Sequence, residues 1–242
     1  MVHDTKLKLS VILPAFNEKE NLPLLVPEIV SVLSGLSLGF EIIIVDDGST
    51  DGTREAAVDI ARRFSNTRYI RLRRNRGLSA ALAAGYKISE GDIIVSMDSD
   101  LQYDPKDIPR LLEKMDQYDL VCGWRQNRQD PFSKRLSSKI ANSIRKAVTG
   151  FDINDAGCIF RALRKSCLKD ITLFNGFHRF LPALFKINGF KVAEIKVNHL
   201  PRRHGKSKYN ISNRIAIVSI DTIAVRWMKS RQIDYDIVER LG

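Results

Sequence analysis

The chain's 242 residues, 44% hydrophobic and 28% charged, have the make-up of a soluble globular protein of one α/β domain, alone or with an appended element. Three cysteines (Cys122, Cys158, Cys167), odd in number and without metal-ligand spacing, argue against a disulfide framework and for a reducing, cytosolic setting. A formal net charge of +11 calls for an anionic partner or surface, and basic residues crowd Arg62 to Arg76, Lys134-Arg135, Arg145-Lys146 and Arg202 to Lys208.

The opening MVHDTKLKLS lacks the apolar core of a signal peptide and runs straight into a first strand, Leu9 to Leu13. A helix follows over Glu20 to Leu33, then a second strand over Glu41 to Val45 that ends in Asp46-Asp47-Gly48-Ser49. Thr50 or Asp51 can cap the next helix, which runs to about Phe64. Arg68 to Leu72 reads as a strand, Leu78 to Ile88 as a helix of small residues, and Asp92 to Met97 as a fourth strand. Pro105 opens a helix to Met115, and Asp119 to Cys122 is a fifth strand. This alternation predicts a mostly parallel sheet flanked by helices.

The second half is less regular. Ser133 to Val148 reads as a helix, Cys158 to Ala162 as a strand, Phe177 to Ile187 as a helix and Phe190 to Val197 as a strand. A polar, basic loop spans Asn198 to Lys208, and a long helix covers Asn210 to Met228. Within that helix, Ile215 to Val225 is the stretch nearest to a membrane span, but Asp221 interrupts it and it is too short. Its apolar stripe and the terminal Arg226, Trp227, Lys229 and Arg231 suit either packing on the core or resting on lipid. The expected organisation is a catalytic domain over 1–209 and a C-terminal amphipathic helix and tail over 210–242.

Several nucleotide-handling classes are disfavoured. The first strand leads into Pro14-Ala15-Phe16-Asn17-Glu18 rather than a G-x-G-x-x-G turn, and no P-loop or G-x-S-x-G elbow occurs. What does occur is a polar set at consecutive strand ends: Asn17-Glu18, Asp46-Asp47 and Asp98-Ser99-Asp100. In a parallel sheet these ends converge on the ligand-binding rim. Carboxylates there can accept hydrogen bonds from a nucleobase edge and ribose hydroxyls. Asp98 and Asp100, two apart and followed by Gln102, repel each other unless a cation lies between them, which predicts a site for Mg²⁺ or Mn²⁺ shared with substrate phosphates; the alternative for the motif alone is two Asp residues that cap the next helix.

Four blocks, VILPAFNEKENLP, EIIIVDDGSTDGT, RGLSAALAAGY and DIIVSMDSDLQYDP, resemble in order and spacing the inverting family-two glycosyltransferases with the A-type nucleotide-sugar transferase fold. The later segments GWRQNRQDPFSKRLSSKIANSI, DAGCIFRALRKS and RRHGKSKY resemble the polyprenyl-phosphate hexosyltransferases, among them dolichol-phosphate mannosyltransferase and the bacterial undecaprenyl-phosphate sugar transferases. The resemblance spans roughly residues 8 to 210. It implies that Pro14, Phe16, Glu18 and Asp47 line the nucleoside pocket, with Asn17 and Asp46 beside them. Asp98, Asp100 and Gln102 would hold metal and donor. Arg125, Lys134, Arg135 and Ser138 would face the acceptor phosphate, and Arg202 and Lys208 would grip phosphates from a mobile loop hinged at Gly205. Asp155, the remaining carboxylate, would orient metal or acceptor, or merely turn the chain.

The implied reaction moves mannose or glucose from GDP-mannose or UDP-glucose to a dolichyl or undecaprenyl phosphate at the cytoplasmic face of a membrane. A phosphate acceptor already carries a nucleophilic oxyanion at neutral pH, so charge neutralisation and positioning dominate over general-base catalysis. A sugar-hydroxyl acceptor is the alternative; Ile223 stands where the processive synthases' Q-x-x-R-W motif has glutamine before Arg226-Trp227. A nucleic-acid partner is not expected, because no aromatic-interleaved or zinc-finger pattern accompanies the charge. The anionic membrane surface is an expected partner. A membrane-embedded partner protein is also left open.

Overall fold

The structure, a computed structural model, describes residues 8–125, 146, 150, 152–201, 212–233 and 239. Seven strands form one sheet: β1 (Lys8–Ala15), β2 (Gly39–Asp46), β3 (Thr67–Arg71), β4 (Ile93–Ser96), β5 (Leu120–Arg125), β6 (Arg161–Arg164) and β7 (Val192–Val197). Their order is β3-β2-β1-β4-β6-β5-β7. Among the described strands β6 alone runs against its neighbours, antiparallel to both β4 and β5. The helices are α1 (Leu22–Ser34), α2 (Thr53–Arg63), α3 (Leu78–Ile88), α4 (Ile108–Leu112), α5 (Leu181–Ile187) and α6 (Ser212–Ser230).

The central strands are apolar along their length because both faces are covered. Leu9, Val11 and Leu13 of β1 and Ile42 and Ile44 of β2 pack with Leu22, Leu25, Val26, Ile29 and Leu33 of α1 on one side. Ile12, Ile43 and Val45 face the other way, against α3, α5 and Val225 of α6. The alternation is the period-2 pleat read from each strand. α3 lies so close to the sheet that a β-carbon on Gly85 would collide with the Ile12 side chain.

The described elements sit within a few residues of their expected places, and four differ for identifiable reasons. The second helix is capped one residue late, at Gly52 with φ +96°, while the Asp51 carboxylate accepts from the Thr53 N–H at 3.0 Å and so still performs the capping bond. The helix expected from Pro105 is a 3₁₀ turn over Pro105–Asp107 followed by the short α4, because Pro109 renews the N-terminal restriction. The helix expected from Phe177 likewise opens as a 3₁₀ turn, Phe177–Arg179, with α5 beginning before Pro182. The strand expected at Cys158 to Ala162 lies three residues later: Cys158, Ile159 and Phe160 are buried but form a loop, and pairing begins at Arg161. The expected helix over 133–148 lies outside the described residues.

Candidate active site

The chain fills β1, β2 and β3 outward in one direction and then returns to place β4 on the other side of β1. The crevice between β1 and β4 is therefore a topological switch point, where open α/β sheets take their ligands. Asn17 and Glu18 follow β1, Asp46 and Asp47 close β2, and Asp98 to Gln102 follow β4, so the three polar sets do share one rim. Arg125 ends β5 level with Val197 at the end of β7, which brings it to the same side.

Each set has its own local construction. Asn17 adopts φ +55°, and its side-chain oxygen accepts from the Thr50 N–H at 2.9 Å, while its own N–H reaches Ser49 Oγ at 2.9 Å. The Glu18 N–H donates to Thr53 Oγ1 at 2.8 Å, which docks the post-β1 turn on the start of α2. Pro14 is buried beneath this turn, and its carbonyl accepts from Ser99 Oγ at 2.9 Å, tying the β1 and β4 loops together. Phe16 is half-buried beside them.

Asp46 and Asp47 have separate tasks. Asp46 is fully buried below the rim; its carboxylate accepts from the Ser49 N–H at 2.7 Å and the Tyr69 hydroxyl at 2.9 Å, and Arg71 Nε lies 3.3 Å away. Burial, reinforced by this bond to Asp46, pushes the Tyr69 phenol up to about 12. Asp47 instead accepts the Arg76 and Gly77 N–H groups, both at 2.7 Å, and so fixes the loop entering α3. Burial raises the Asp47 carboxyl; the two N–H bonds oppose it, and the Asp46 charge adds to it. Leu72, Arg73, Arg74, Arg76 and Ala80 line an open cavity of about 600 Å³ beside this loop. Its positive lining is suited to an anionic ligand.

The turn after β4 is strained. Leu101 has φ +61°, a region that a branched side chain rarely enters, while its side chain is buried. Such strain concentrates at functional turns. It accompanies a half-buried Asp98 and a buried Asp100 whose Oδ1 accepts from the Gln102 N–H at 3.2 Å. Gln102 pairs with the strand-end loop opposite: its carbonyl accepts from the Leu200 N–H at 2.9 Å, and its Nε2 donates to the Leu200 carbonyl at 3.4 Å. Among the described residues no group of three or more His, Cys, Asp or Glu side chains forms a complete metal cage. Two carboxylates at a ligand rim suit a hard cation that completes its shell with water and substrate oxygens, as Mg²⁺ does.

On the far side, Asp155 and Arg125 form a bidentate pair, Nε to Oδ2 at 2.6 Å and Nη2 to Oδ1 at 2.9 Å, with side-chain exposures of only 5% and 14%. The pairing of these two was not read from the sequence. Also missed were Glu194 of β7, which accepts the Asn154 N–H at 3.0 Å and the Asp155 N–H at 3.2 Å, and Arg161, buried in the sheet. A charge isolated between apolar neighbours in CIFRAL was the one available sign of Arg161. Lys134, Arg135, Ser138, Arg202 and Lys208 lie outside the described residues.

The family model for glycosyl transferase family 2 matches residues 10–172. The chain therefore belongs to glycosyl transferase family 2, and it is a glycosyltransferase. It is 36% identical over 225 residues to the dodecaprenyl-phosphate galacturonate synthase of Rhizobium johnstonii, covering 90% of this chain and 66% of that protein. It is 36% identical over 220 residues to the undecaprenyl-phosphate 4-deoxy-4-formamido-L-arabinose transferase of Aeromonas hydrophila, covering 90% and 68%. The chain thus spans about two thirds of the length of these curated relatives. Among solved structures, glucosyl-3-phosphoglycerate synthase from Mycobacterium tuberculosis, in complex with Mn²⁺, UDP-glucose and phosphoglyceric acid, superposes with a TM-score of 0.67 at 20% identity. The superposition covers 94% of this chain and 81% of that one, and establishes a shared fold.

Proposed function

We propose that this enzyme transfers a sugar from a nucleotide sugar to a polyprenyl phosphate, inverting the anomeric centre, with Mg²⁺ or Mn²⁺ held by Asp98 and Asp100 and flanked by Gln102. The observation that carries the reading is the meeting on one rim of the strained Asp98–Gln102 turn and the buried Arg125–Asp155 pair. The names of the relatives, both lipid-phosphate sugar transferases, support the same acceptor class. When bound, the cation would offset the charge that collects on the departing diphosphate.

The chain's own groups supply the rest. Pro14, Phe16, Asn17, Glu18 and Asp47 surround the nucleoside, and Asp46 supports them from below. Arg125 faces the acceptor phosphate with its guanidinium plane fixed by Asp155, which sets the direction of its remaining N–H groups. Lys134, Arg135 and Ser138 join it in this reading, and Arg202 and Lys208 grip the donor phosphates. A sugar-hydroxyl acceptor would need a positioned base. Asp155 is the candidate base, and both its oxygens already accept from Arg125.

The lipid acceptor also implies an anionic membrane surface. No helix among the described residues is long and apolar enough to cross a membrane. Supporting a peripheral position, α6 exposes Ile220 at 66%, Ile223 at 65% and Trp227 at 60%, with Arg226, Lys229 and Arg231 exposed around them. The donor remains GDP-mannose or UDP-glucose by resemblance, and the relatives' names add galacturonate and a formamido-arabinose to the sugars worth presenting.

The test is transfer of radiolabelled sugar from a panel of GDP- and UDP-sugars into the organic phase with undecaprenyl or dolichyl phosphate and Mn²⁺. Label in the lipid product that disappears with chelator supports the proposal. Water-soluble product alone, across the whole panel, would sink it.

A further inference from the structure

Arg161 has a role that the reaction scheme does not use. It opens β6 opposite Ser96 of β4 and Cys122 of β5, and its side chain is 1% exposed. Among the described residues its guanidinium pairs with no carboxylate and donates to two backbone carbonyls, Nη2 to Ala156 at 2.9 Å and Nη1 to His178 at 2.6 Å. Nε has no hydrogen-bond partner among the described residues. A buried charge held by carbonyls alone is a costly way to fill space, and an apolar side chain of similar volume is often neutral or stabilising at such sites. What the guanidinium provides is geometry: one rigid plane fixes two loops relative to each other.

Those loops are the ones that matter to the acceptor side. Ala156 follows Asp155, whose carboxylate clasps Arg125. Glu194 holds the Asn154 and Asp155 N–H groups, and Arg161 holds the next carbonyl, that of Ala156. His178 lies in the Phe177–Arg179 turn, which is anchored to the start of α3 through Ser79: its Oγ lies 2.8 Å from His178 Nδ1 and accepts the Gly176 N–H at 2.8 Å. The same turn seats α6, because a β-carbon on Gly176, where φ is +106°, would lie 2.6 Å from Asp221 Oδ2.

We infer that Arg161 is a positioning residue that clamps the Asp155 loop onto the turn carrying α6 and so sets the reach of Arg125 toward the acceptor phosphate. The inference rests on the proposed polyprenyl-phosphate acceptor. The guanidinium's two hydrogen bonds go to neither the β1, β2 nor β4 loop, on which donor binding is proposed.

The test uses the full chain and two variants. Arg161→Met keeps the approximate volume without either carbonyl bond, and Arg161→Lys keeps the charge on a single donor nitrogen that cannot span both carbonyls in one rigid plane. Kinetics with a short-chain polyprenyl phosphate in detergent are read beside nucleotide affinity by calorimetry with Mn²⁺. The clamp predicts a fall of about 10- to 100-fold in kcat/KM for the acceptor in Arg161→Met, partly restored in Arg161→Lys, and nucleotide affinity within about twofold of the unaltered protein. If Arg161→Met does not fold, the same comparison is made on Arg161→Lys, where the acceptor constant must fall while nucleotide affinity holds. Equal loss on both substrates, or unchanged acceptor kinetics in a folded variant, overturns the inference alone. An unaltered protein that transfers nothing to the lipid phosphate overturns the proposed function, and the clamp's role with it.

Discussion

Breaking the Arg125–Asp155 pair is the perturbation whose size follows most directly from the geometry. Both side chains are largely withdrawn from water, and two parallel N–H···O bonds join them. Asp155→Asn leaves the guanidinium buried without its counter-charge, a loss of about 3–5 kcal/mol for a pair of this kind. For a domain of this size that corresponds to a melting temperature lower by roughly 6–20 °C. Arg125→Met should cost a comparable amount by stranding the carboxylate. The double variant, with both charges gone, should recover part of the loss and give a coupling energy of about 2–3 kcal/mol. Thermal unfolding of the four proteins measures all of this. Losses below about 1 kcal/mol in the single variants, the size of a solvent-exposed pair, would refute the reasoning, as would strict additivity.

Glu41 lies buried at the opposite ends of the strands. Burial raises its carboxyl, but the Ser10 hydroxyl, the Glu90 N–H and Arg68 together hold it below the usual value. A depressed pKa gives stability that is present above the unfolded value, about 4.3, and is lost as pH falls through the folded one. Glu41→Gln should therefore flatten the acid limb of melting temperature against pH and lower stability near neutrality; an unchanged acid limb would contradict this. Gly48 has φ +74°, and a β-carbon there would meet the Arg74 and Asn75 backbone at 2.7 Å, so Gly48→Ala should destabilise by about 1–3 kcal/mol and weaken nucleotide binding, both read in one thermal-shift titration. All three cysteines are buried, which pushes Cys122 up to about 12 and Cys158 to about 11, so thiol reagents should label none of them until the chain unfolds.

The rim was legible in the sequence because strands covered on both faces write themselves as unbroken apolar runs, and the residues that end those runs fall together in a parallel sheet. Asn17, Asp47, Asp98 and Asp100 followed from that rule. The antiparallel β6 did not, because the apolar run Cys158–Phe160 is a buried loop and the strand proper begins with an arginine, a residue whose charge normally marks the surface. Likewise the partnership of Arg125 with Asp155 spans 30 residues, and Glu194 reaches Asp155 from 39 residues away. Periodicity carries no information about pairs so distant. The different duties of Asp46 and Asp47 were also hidden, since adjacent residues on a strand end point to opposite sides and only packing decides which one meets the ligand.

Crystals grown with Mn²⁺ and a nucleoside diphosphate, with anomalous differences collected at the manganese edge, test the central claim most directly. The account predicts one strong peak bound by oxygens of Asp98 and Asp100 at about 2.1 Å and shared with the diphosphate. A map with the ion elsewhere, and both carboxylates turned from it, would contradict the account.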